Sequence, residues 1–323
     1  MGAQHRRPAL QRGCGIGELN IRGPAHEAFA LAVSLRLGVY DPATAGVNAD
    51  VARARAVRLV QSLAMRHLSN SDNGWGGGWQ SALWTSFTAW AGWLLWEDLG
   101  ALDRERLGRM LEYEADRFNG YVVPYYRDEA GNYAGSVNDT KAEENAWSAM
   151  VLQVATAMLP GHRRFGQWMN KAAELEISAF SRPVDVSSTA VVNGRTVGQW
   201  LRGSNINNDG FVINHGFVHP DYSTTVSENI FAALAYSMAW RATPRAAFWG
   251  AQYVYRALVD HPWVAGTMYP PRGVVLQPAA RSMTTTRRTC TTRRATTGVR
   301  PGASSPCCST CRRGRSVSMR SRP

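Results

Sequence analysis

The feature of this sequence that most restricts its fold is a succession of helical segments with few strands between them. Apolar residues recur at helical spacing in eight stretches, 26–38, 50–68, 79–98, 103–118, 140–158, 164–180, 224–240 and 244–259. Because a parallel sheet needs strands that alternate with helices, this order predicts an all-α fold. The stretch 79–98 is apolar around most of its circumference, which predicts a central helix.

Two long loops interrupt the helical series, at 119–139 and 181–223. Short hairpins are predicted at 120–136 and at 189–197, where Asn193-Gly194 is a strong turn signal. Helices that follow one another in pairs, with long loops gathered at one end, predict an incomplete (α/α) toroid. A plain helical bundle and an α-solenoid are the alternatives. The absence of a strict internal repeat counts against the solenoid.

The formal net charge of +12 is confined to one end of the chain. Residues 281–323 contain eleven arginines and no lysine, aspartate or glutamate, so the rest of the chain is close to neutral. We predict a toroid domain at 23–275, a disordered or truncated segment at 1–22, and a disordered Arg/Thr/Ser/Cys-rich tail at 276–323. We interpret the tail as a frameshifted translation of a GC-rich gene. We therefore expect no nucleic-acid partner.

No apolar run reaches membrane-spanning length, and the N-terminus lacks the apolar core of a signal peptide. We expect no membrane partner, and a cytoplasmic location by default. The oligomeric state is left open.

A tryptophan- and glycine-rich stretch, "NSDNGWGGGWQSALW", covers residues 70–84. Sugar rings stack on indole faces, and the indole N–H remains available to bond hydroxyl groups. Trp75 and Trp79 are therefore candidate substrate-binding residues. From Trp84 onwards we interpret the tryptophans as core.

The stretch "SVNDTKAEENAW", residues 136–147, gathers polar residues at a predicted helix start. Helix capping explains most of them, and Asp139 is a candidate on the loop side. Asn145 lies one turn into the helix, where asparagine is a poor helix former. A buried, hydrogen-bonded asparagine that points into a cleft would explain its presence.

The richest polar segment is "WLRGSNINNDGFVINHGFVHPDYSTTVSEN", residues 200–229. Loops of this length in compact domains are usually functional or disordered, and its apolar insertions indicate that it is packed down. His215 is a candidate general base. Tyr222 is a candidate proton carrier if nearby cations or donors lower its pKa.

The remaining candidates for the site are three asparagine amides and one arginine. Asn214, Asn208 or Asn145 could donate to a carboxylate or a developing enolate, and Arg202 could bind an acidic sugar. These parts suit β-elimination of a uronate-containing polysaccharide, in which the carboxylate must be neutralised before the adjacent C–H becomes acidic.

Three other interpretations are weighed against the lyase. Gly216 and Pro220 break any helix that would bring His215 and His219 to one face, so we predict no metal site and no cofactor. A glycoside hydrolase would use paired carboxylates among Asp139, Glu143, Asp209 and Asp221. A non-catalytic glycan-binding or interaction module would need no reacting group.

Three phrases, "GGGWQSALWTSFTAWAGWLLW", "NDTKAEENAW" and "DGFVINHGFVHPDY", together resemble a group of uncharacterised actinobacterial (α/α)-toroid proteins. More distantly the chain is similar to the toroid domains of polysaccharide lyases of the hyaluronate/chondroitin lyase and heparinase II/III types. The resemblance covers roughly residues 20–275. It implies a tryptophan-lined cleft, His215 and Tyr222 as base and acid, and Asn145 or Asn208 as the residue that neutralises the uronate carboxylate.

Overall fold

The computed structural model describes residues 16–135 and 137–260, and in this part the chain is mainly helical. The helices are α1 Glu18–Arg36, α2 Pro42–Ala45, α3 Ala49–Met65, α4 Ser81–Leu94, α5 Ala101–Asp116, α6 Ala142–Met158, α7 Phe165–Ala179, α8 Val197–Trp200, α9 Pro220–Thr224, α10 Val226–Met238 and α11 Ala251–Asp260. Short 3-10 turns lie at Trp96–Asp98, Pro183–Ser187 and Arg245–Phe248. The predicted tail 276–323 lies outside the described residues.

Helices α4 and α6 form the centre of the described fold, and the prediction that 79–98 is central is confirmed. Helix α4 packs against α1, α3, α5 and α6, and α6 also packs against α7 and α10. Hydroxyl side chains in these buried helices bond the preceding turn, as Ser86 Oγ does to the Ala82 carbonyl at 2.7 Å and Thr156 Oγ1 to the Leu152 carbonyl at 2.7 Å. Such bonds satisfy a buried hydroxyl within its own helix.

Helix α1 begins at Glu18, eight residues before the predicted start at residue 26 and inside the segment assigned to the N-terminal region. Its buried face includes Ile21, Ala25, Ala28 and Ala32, which pack against α3 and α4. The small alanine side chains let the helix backbones approach closely. Among the residues described here, no helix has both the length and the apolar content needed to cross a bilayer.

Strands are limited to three antiparallel pairs of two residues each. They are β1 Arg127–Asp128 with β4 Gly203–Ser204, β2 Val191–Val192 with β3 Arg195–Thr196, and β5 Ile213–Asn214 with β6 Phe217–Val218. The Asn193-Gly194 hairpin is confirmed, with φ of 48° and 81° at its two turn residues. The other predicted hairpin is reduced to a single Arg127–Tyr133 bridge, because β1 pairs with β4 instead.

Asn205 fastens the second long loop to the helix ends. Its side chain is fully buried, and its Oδ1 accepts the backbone N–H of Tyr126 at 2.8 Å and of Lys141 at 3.2 Å. Its Nδ2 donates to the Ser178 carbonyl at 2.8 Å. One amide thus satisfies backbone groups on three separate segments, which fixes the loop beside the N-terminus of α6 and the C-terminus of α7.

Candidate functional site

The histidine singled out in the sequence occupies the turn of the β5–β6 hairpin. His215 has a φ of 53° and Gly216 a φ of 85°, the left-handed backbone that a tight two-residue hairpin requires. The turn is docked on the segment before α6, because the Gly216 N–H donates to the Asn138 carbonyl at 3.0 Å. The His215 N–H lies 2.6 Å from Asp139 Oδ1 and 2.8 Å from Asn214 Oδ1.

His215 and Tyr222 are hydrogen-bonded to each other. The distance from His215 Nε2 to Tyr222 Oη is 2.9 Å, and the ring centroids are 5.4 Å apart at 80°. The bond exists because Pro220 starts helix α9 directly after the hairpin, which returns Tyr222 towards the turn. The imidazole is exposed, and the tyrosine ring is half-buried.

The electrostatics of Tyr222 differ from the expectation. Burial, reinforced by the carboxylates of Glu143 and Asp139, raises the pKa of Tyr222, whereas the positive charge of Arg22 opposes the shift. The condition stated for Tyr222, a pKa lowered by nearby cations or donors, is therefore not met. The phenol keeps its proton at neutral pH, which suits a proton donor rather than a base.

A cavity of about 340 Å³ opens beside Tyr222, which lines it, whereas His215 is not among the described lining residues. Trp79 forms part of its wall; the side chain is 64% exposed and meets Trp147 edge-on, with ring centroids 5.2 Å apart at 83°. An exposed indole beside a cavity can carry the apolar face of a sugar ring. The lining residues are Arg22, Trp79, Gln80, Leu83, Glu143, Trp147, Asp221, Tyr222, Thr225 and Glu228.

Two carboxyl groups that line the cavity have raised pKa values, so each keeps its proton to a higher pH than a glutamate in water. Burial raises the pKa of Glu143 to about 7, and burial together with the nearby Glu143 raises the pKa of Glu228 to about 8. Glu143 is 5% exposed, and its Oε1 accepts from Asn214 Nδ2 at 2.6 Å. Within the described residues, Oε2 of each glutamate is buried without a hydrogen-bond partner.

Four of the predicted site residues neither line this cavity nor bond the His215–Tyr222 pair: Trp75, Asn145, Asn208 and Arg202. Trp75 is 2% exposed and donates its Nε1–H to the Leu63 carbonyl, so it belongs to the core and does not line the cavity. Asn145 is buried and hydrogen-bonded as predicted, but its Nδ2 donates to the Pro124 carbonyl and to Ser178 Oγ, each at 3.0 Å. It therefore faces the core rather than the cleft.

Asn208 and Arg202 are also separate from the His215–Tyr222 pair. Asn208 lines a second cavity of about 380 Å³, bordered by Arg127, Pro183 and Ile206, and its Oδ1 accepts the Val184 N–H. Arg202 is exposed and lies 3.7 Å from Glu129. Neither residue lines the cavity beside Tyr222.

The contacts of His219 indicate a structural role. It stacks on Phe217 with centroids 4.8 Å apart at 24°, and its carbonyl accepts the Ser223 N–H at the start of α9. Burial lowers the pKa of His219, which keeps the ring neutral. Within 16–135 and 137–260 no cluster of three or more His, Cys, Asp or Glu side chains is placed to hold a metal ion.

The glycine-rich loop before α4 is anchored by a buried carboxylate. Glu114, on α5, is fully buried and accepts from the Gly77 N–H at 2.6 Å, Ser81 Oγ at 2.8 Å and Arg117 Nε at 2.9 Å. His67 Nε2 lies 3.2 Å from the same carboxylate. This anchor fixes the loop immediately before Trp79, so it positions the indole at the cavity.

Six cavity residues were absent from the predicted site: Arg22, Gln80, Leu83, Trp147, Thr225 and Glu228. Arg22 fell in the segment assigned to the N-terminal region. Trp147 and Glu228 occupy ordinary helical positions with no local signal. Only the tertiary packing of α1, α6 and α10 brings them to one cavity.

Comparison with family models, curated proteins and solved structures finds no match to this chain.

Proposed function

We propose that this chain is a polysaccharide lyase that cleaves an acidic, uronate-containing polysaccharide by β-elimination. The 2.9 Å hydrogen bond between His215 Nε2 and Tyr222 Oη, beside a cavity with an exposed tryptophan, carries the proposal. An acid and a base already joined by a hydrogen bond can exchange a proton during one turnover. We further propose that the helices belong to an incomplete (α/α) toroid with this cavity near its mouth.

In the proposed reaction His215 Nε2 removes the proton from the carbon that bears the uronate carboxyl group. The electron pair of that C–H bond forms a C=C bond to the neighbouring ring carbon, and the bond from that carbon to the glycosidic oxygen breaks. Tyr222 donates its phenol proton to the leaving oxygen. The imidazolium then returns a proton to the phenolate through their hydrogen bond, and both groups are restored.

The raised pKa of Tyr222 supports its assignment as the acid, because a protonated phenol is the form that donates. Asp139 and Asn214 hold the His215 backbone N–H, which fixes the base in the turn. Trp79 would carry a sugar ring of the bound chain.

A glycoside hydrolase is the second candidate, and one observation favours it. Glu143 and Glu228 line the same cavity, and their raised pKa values of about 7 and about 8 suit a general acid. Of the predicted carboxylates other than Glu143, Asp221 also lines the cavity, Asp139 is engaged with His215, and Asp209 is exposed outside it. A hydrolase would need one of the cavity carboxylates to be essential.

The test is turnover of hyaluronate, alginate and polygalacturonate by the purified full-length chain. A lyase produces an unsaturated sugar that absorbs in the near ultraviolet, whereas a hydrolase produces only a new reducing end. Tyr222→Phe should lower kcat about a hundredfold or more. His215→Asn should do the same, and asparagine tolerates the left-handed backbone at this turn.

Tyr133→Phe is the matched control, because Tyr133 is an exposed tyrosine that bonds Arg127 outside the cavity. It should leave kcat unchanged. Reducing ends without ultraviolet absorbance would replace the lyase by the hydrolase. Glycan binding that survives both site variants, with no product of either kind, would identify a non-catalytic binding module.

A further inference from the structure

The second cavity, of about 380 Å³, differs in charge from the first cavity, the one beside Tyr222. Among the described residues that line it, Arg127 is charged and none is acidic. The first cavity is lined by three acids, Glu143, Asp221 and Glu228. The second cavity therefore suits an anionic ligand better than the first, and its volume is within the range of small-molecule sites.

Arg127 is held in place and keeps part of its hydrogen-bonding capacity. Its Nη1 donates to the Gly131 carbonyl at 2.8 Å and its Nη2 to Tyr133 Oη at 3.0 Å. The guanidinium carbon also lies 4.2 Å from the centre of the Tyr133 ring. A guanidinium has five N–H groups, so these two bonds leave three for a ligand. Asp128 follows Arg127 in β1, where successive side chains point to opposite faces, and it does not line the cavity.

Two asparagine amides that line the cavity add donors of defined orientation. Asn208 Oδ1 accepts the Val184 N–H at 3.3 Å. Asn207 Oδ1 accepts the N–H groups of Asp209 at 3.1 Å and Phe211 at 2.8 Å. Because the oxygen of each amide is committed to the backbone, the NH2 group is the part that can bind a ligand. A ligand that contacts these amides must therefore supply acceptor atoms.

The rest of the wall is largely apolar. Ile206 and Ile213 are buried, and Pro183 lies beside them at the cavity. Tyr126 contributes its ring and uses its phenol hydrogen on the Val137 carbonyl. The hydroxyl groups of a sugar would lose water against this wall, at a cost that a ring without hydroxyl groups avoids. Donors from three side chains, one positive charge and an apolar wall fit a carboxylate attached to an apolar ring.

Strand β5 separates the two cavities. Ile213 lines the second cavity, whereas Asn214, the next residue, bonds Glu143 of the first. Neighbouring side chains of a strand point to opposite faces, which explains this division. The two cavities therefore lie on either side of one strand, and they share none of their described lining residues.

We propose that the second cavity is a binding site for a small aromatic carboxylate, separate from the cavity beside Tyr222. The carboxylate pairs with the Arg127 guanidinium and accepts from the NH2 groups of Asn207 and Asn208. The aromatic ring packs against the apolar wall. This inference goes beyond the proposed function and does not depend on it.

The test is a saturation-transfer NMR titration of the full-length chain with benzoate at pH 7, compared with three probes of similar size. Benzoate should bind with a Kd on the order of 1 mM or below. Benzyl alcohol lacks the charge and benzylamine reverses it, so both should bind about tenfold more weakly or worse. Glucuronate is an acid whose ring bears hydroxyl groups, and it should also bind about tenfold more weakly.

Two variants test the assignment to this cavity. Asn208→Asp keeps the acceptor for the Val184 N–H and replaces the donor by a negative charge, so benzoate affinity should fall about tenfold or more. Arg127→Gln should cause a similar loss. Asn208 is exposed, so its variant tests the site even if the loss of the Arg127 bonds loosens that loop. Asn48→Asp is the matched control, because it makes the same change at an exposed asparagine whose Oδ1 caps α3, and affinity should stay within about twofold.

Trp79→Ala, at the first cavity, should leave the affinity for benzoate unchanged. The inference is overturned if benzoate does not bind the wild type, or if Asn208→Asp binds benzoate as tightly as the wild type does. Equal binding of benzyl alcohol, benzylamine or glucuronate would also overturn it, because the site would then not select an aromatic carboxylate. Loss of benzoate binding in Trp79→Ala would place the ligand in the first cavity and refute the assignment.

Discussion

A buried carboxyl group far from solvent should make the stability of this protein fall as the pH rises. Glu176, on α7, is 1% exposed, and burial raises its pKa from 4.5 to about 8, although a hydrogen bond from Gln153 Nε2 at 2.9 Å opposes the shift. Its Oε2 is buried with no partner among the described residues. The substitution Glu176→Gln keeps the shape of the side chain and removes the titration.

The sign and size of the effect follow from these two pKa values. Between pH 4.5 and pH 8 the folded state holds a proton that the unfolded state has released, so the free energy of unfolding decreases as the pH rises. At pH 7 the difference from the unfolded pKa is about 2.5 units, which at about 1.4 kcal/mol per unit is about 3 kcal/mol. Glu176→Gln should therefore stabilise the protein by about 3 kcal/mol at pH 7 and by close to zero at pH 4.

Urea unfolding followed by tryptophan fluorescence, at pH values from 4 to 8, measures this difference. The comparison is made between the wild type and the variant, so that other titrating groups cancel. Glu174→Gln is the control, because Glu174 lies on the same helix, is half-buried and pairs with Lys171. It should change stability by less than about 1 kcal/mol. A Glu176→Gln variant with no gain at pH 7, or with the same gain at pH 4, would refute the reasoning.

Three further outcomes follow from the described contacts. Burial raises the pKa of Glu114, but hydrogen bonds from His67, Gly77 and Ser81 and the charge of Arg117 outweigh it and lower that pKa. Glu114→Gln should therefore lower the free energy of unfolding, measured in urea, by about 3 kcal/mol at pH 7. The loss should become smaller as the pH falls below 4.5, where the wild-type carboxylate takes up its proton. Asn205→Ala should cost about 3 kcal/mol by the same measurement, because it strands buried backbone donors and acceptors; wild-type stability would contradict this. Trp79→Ala should leave the melting temperature within about 2 °C but weaken oligosaccharide binding about tenfold in calorimetry, and an unchanged affinity would remove Trp79 from the site.

The helices were predictable because their signals are local. Residues 79–98 are apolar around most of the helix, and the other segments have apolar residues at helical spacing. The sequence of each segment alone therefore indicates which of its residues are buried. The Asn193-Gly194 hairpin was predictable for the same reason, since both residue types favour a positive φ. The dipeptide His215-Gly216 is not among the pairs that mark two-residue hairpins, so it left no comparable signal.

Contacts of the candidate site could be anticipated only where the chemically relevant residues are also close in the chain. His215 and Tyr222 are seven residues apart, and the structure brings them together. Asn145 illustrates the opposite case: its residue type indicated a buried hydrogen bond, but the side of the helix that it faces depends on distant partners. Glu228 needed the packing of α10 against α6, which no local pattern specifies.

Asn205 also affects the order in which the molecule can be completed during synthesis. Its partners at Tyr126, Lys141 and Ser178 all precede it in the chain, by 79, 64 and 27 residues. Until residue 205 arrives, these backbone groups must remain solvated, so the surrounding segments cannot be sealed from water. The helices α3 to α7 can pack beforehand, because all of them precede residue 205. A ribosome-bound intermediate that ends before residue 205 would hold much of the helical framework, with these backbone groups still open to water.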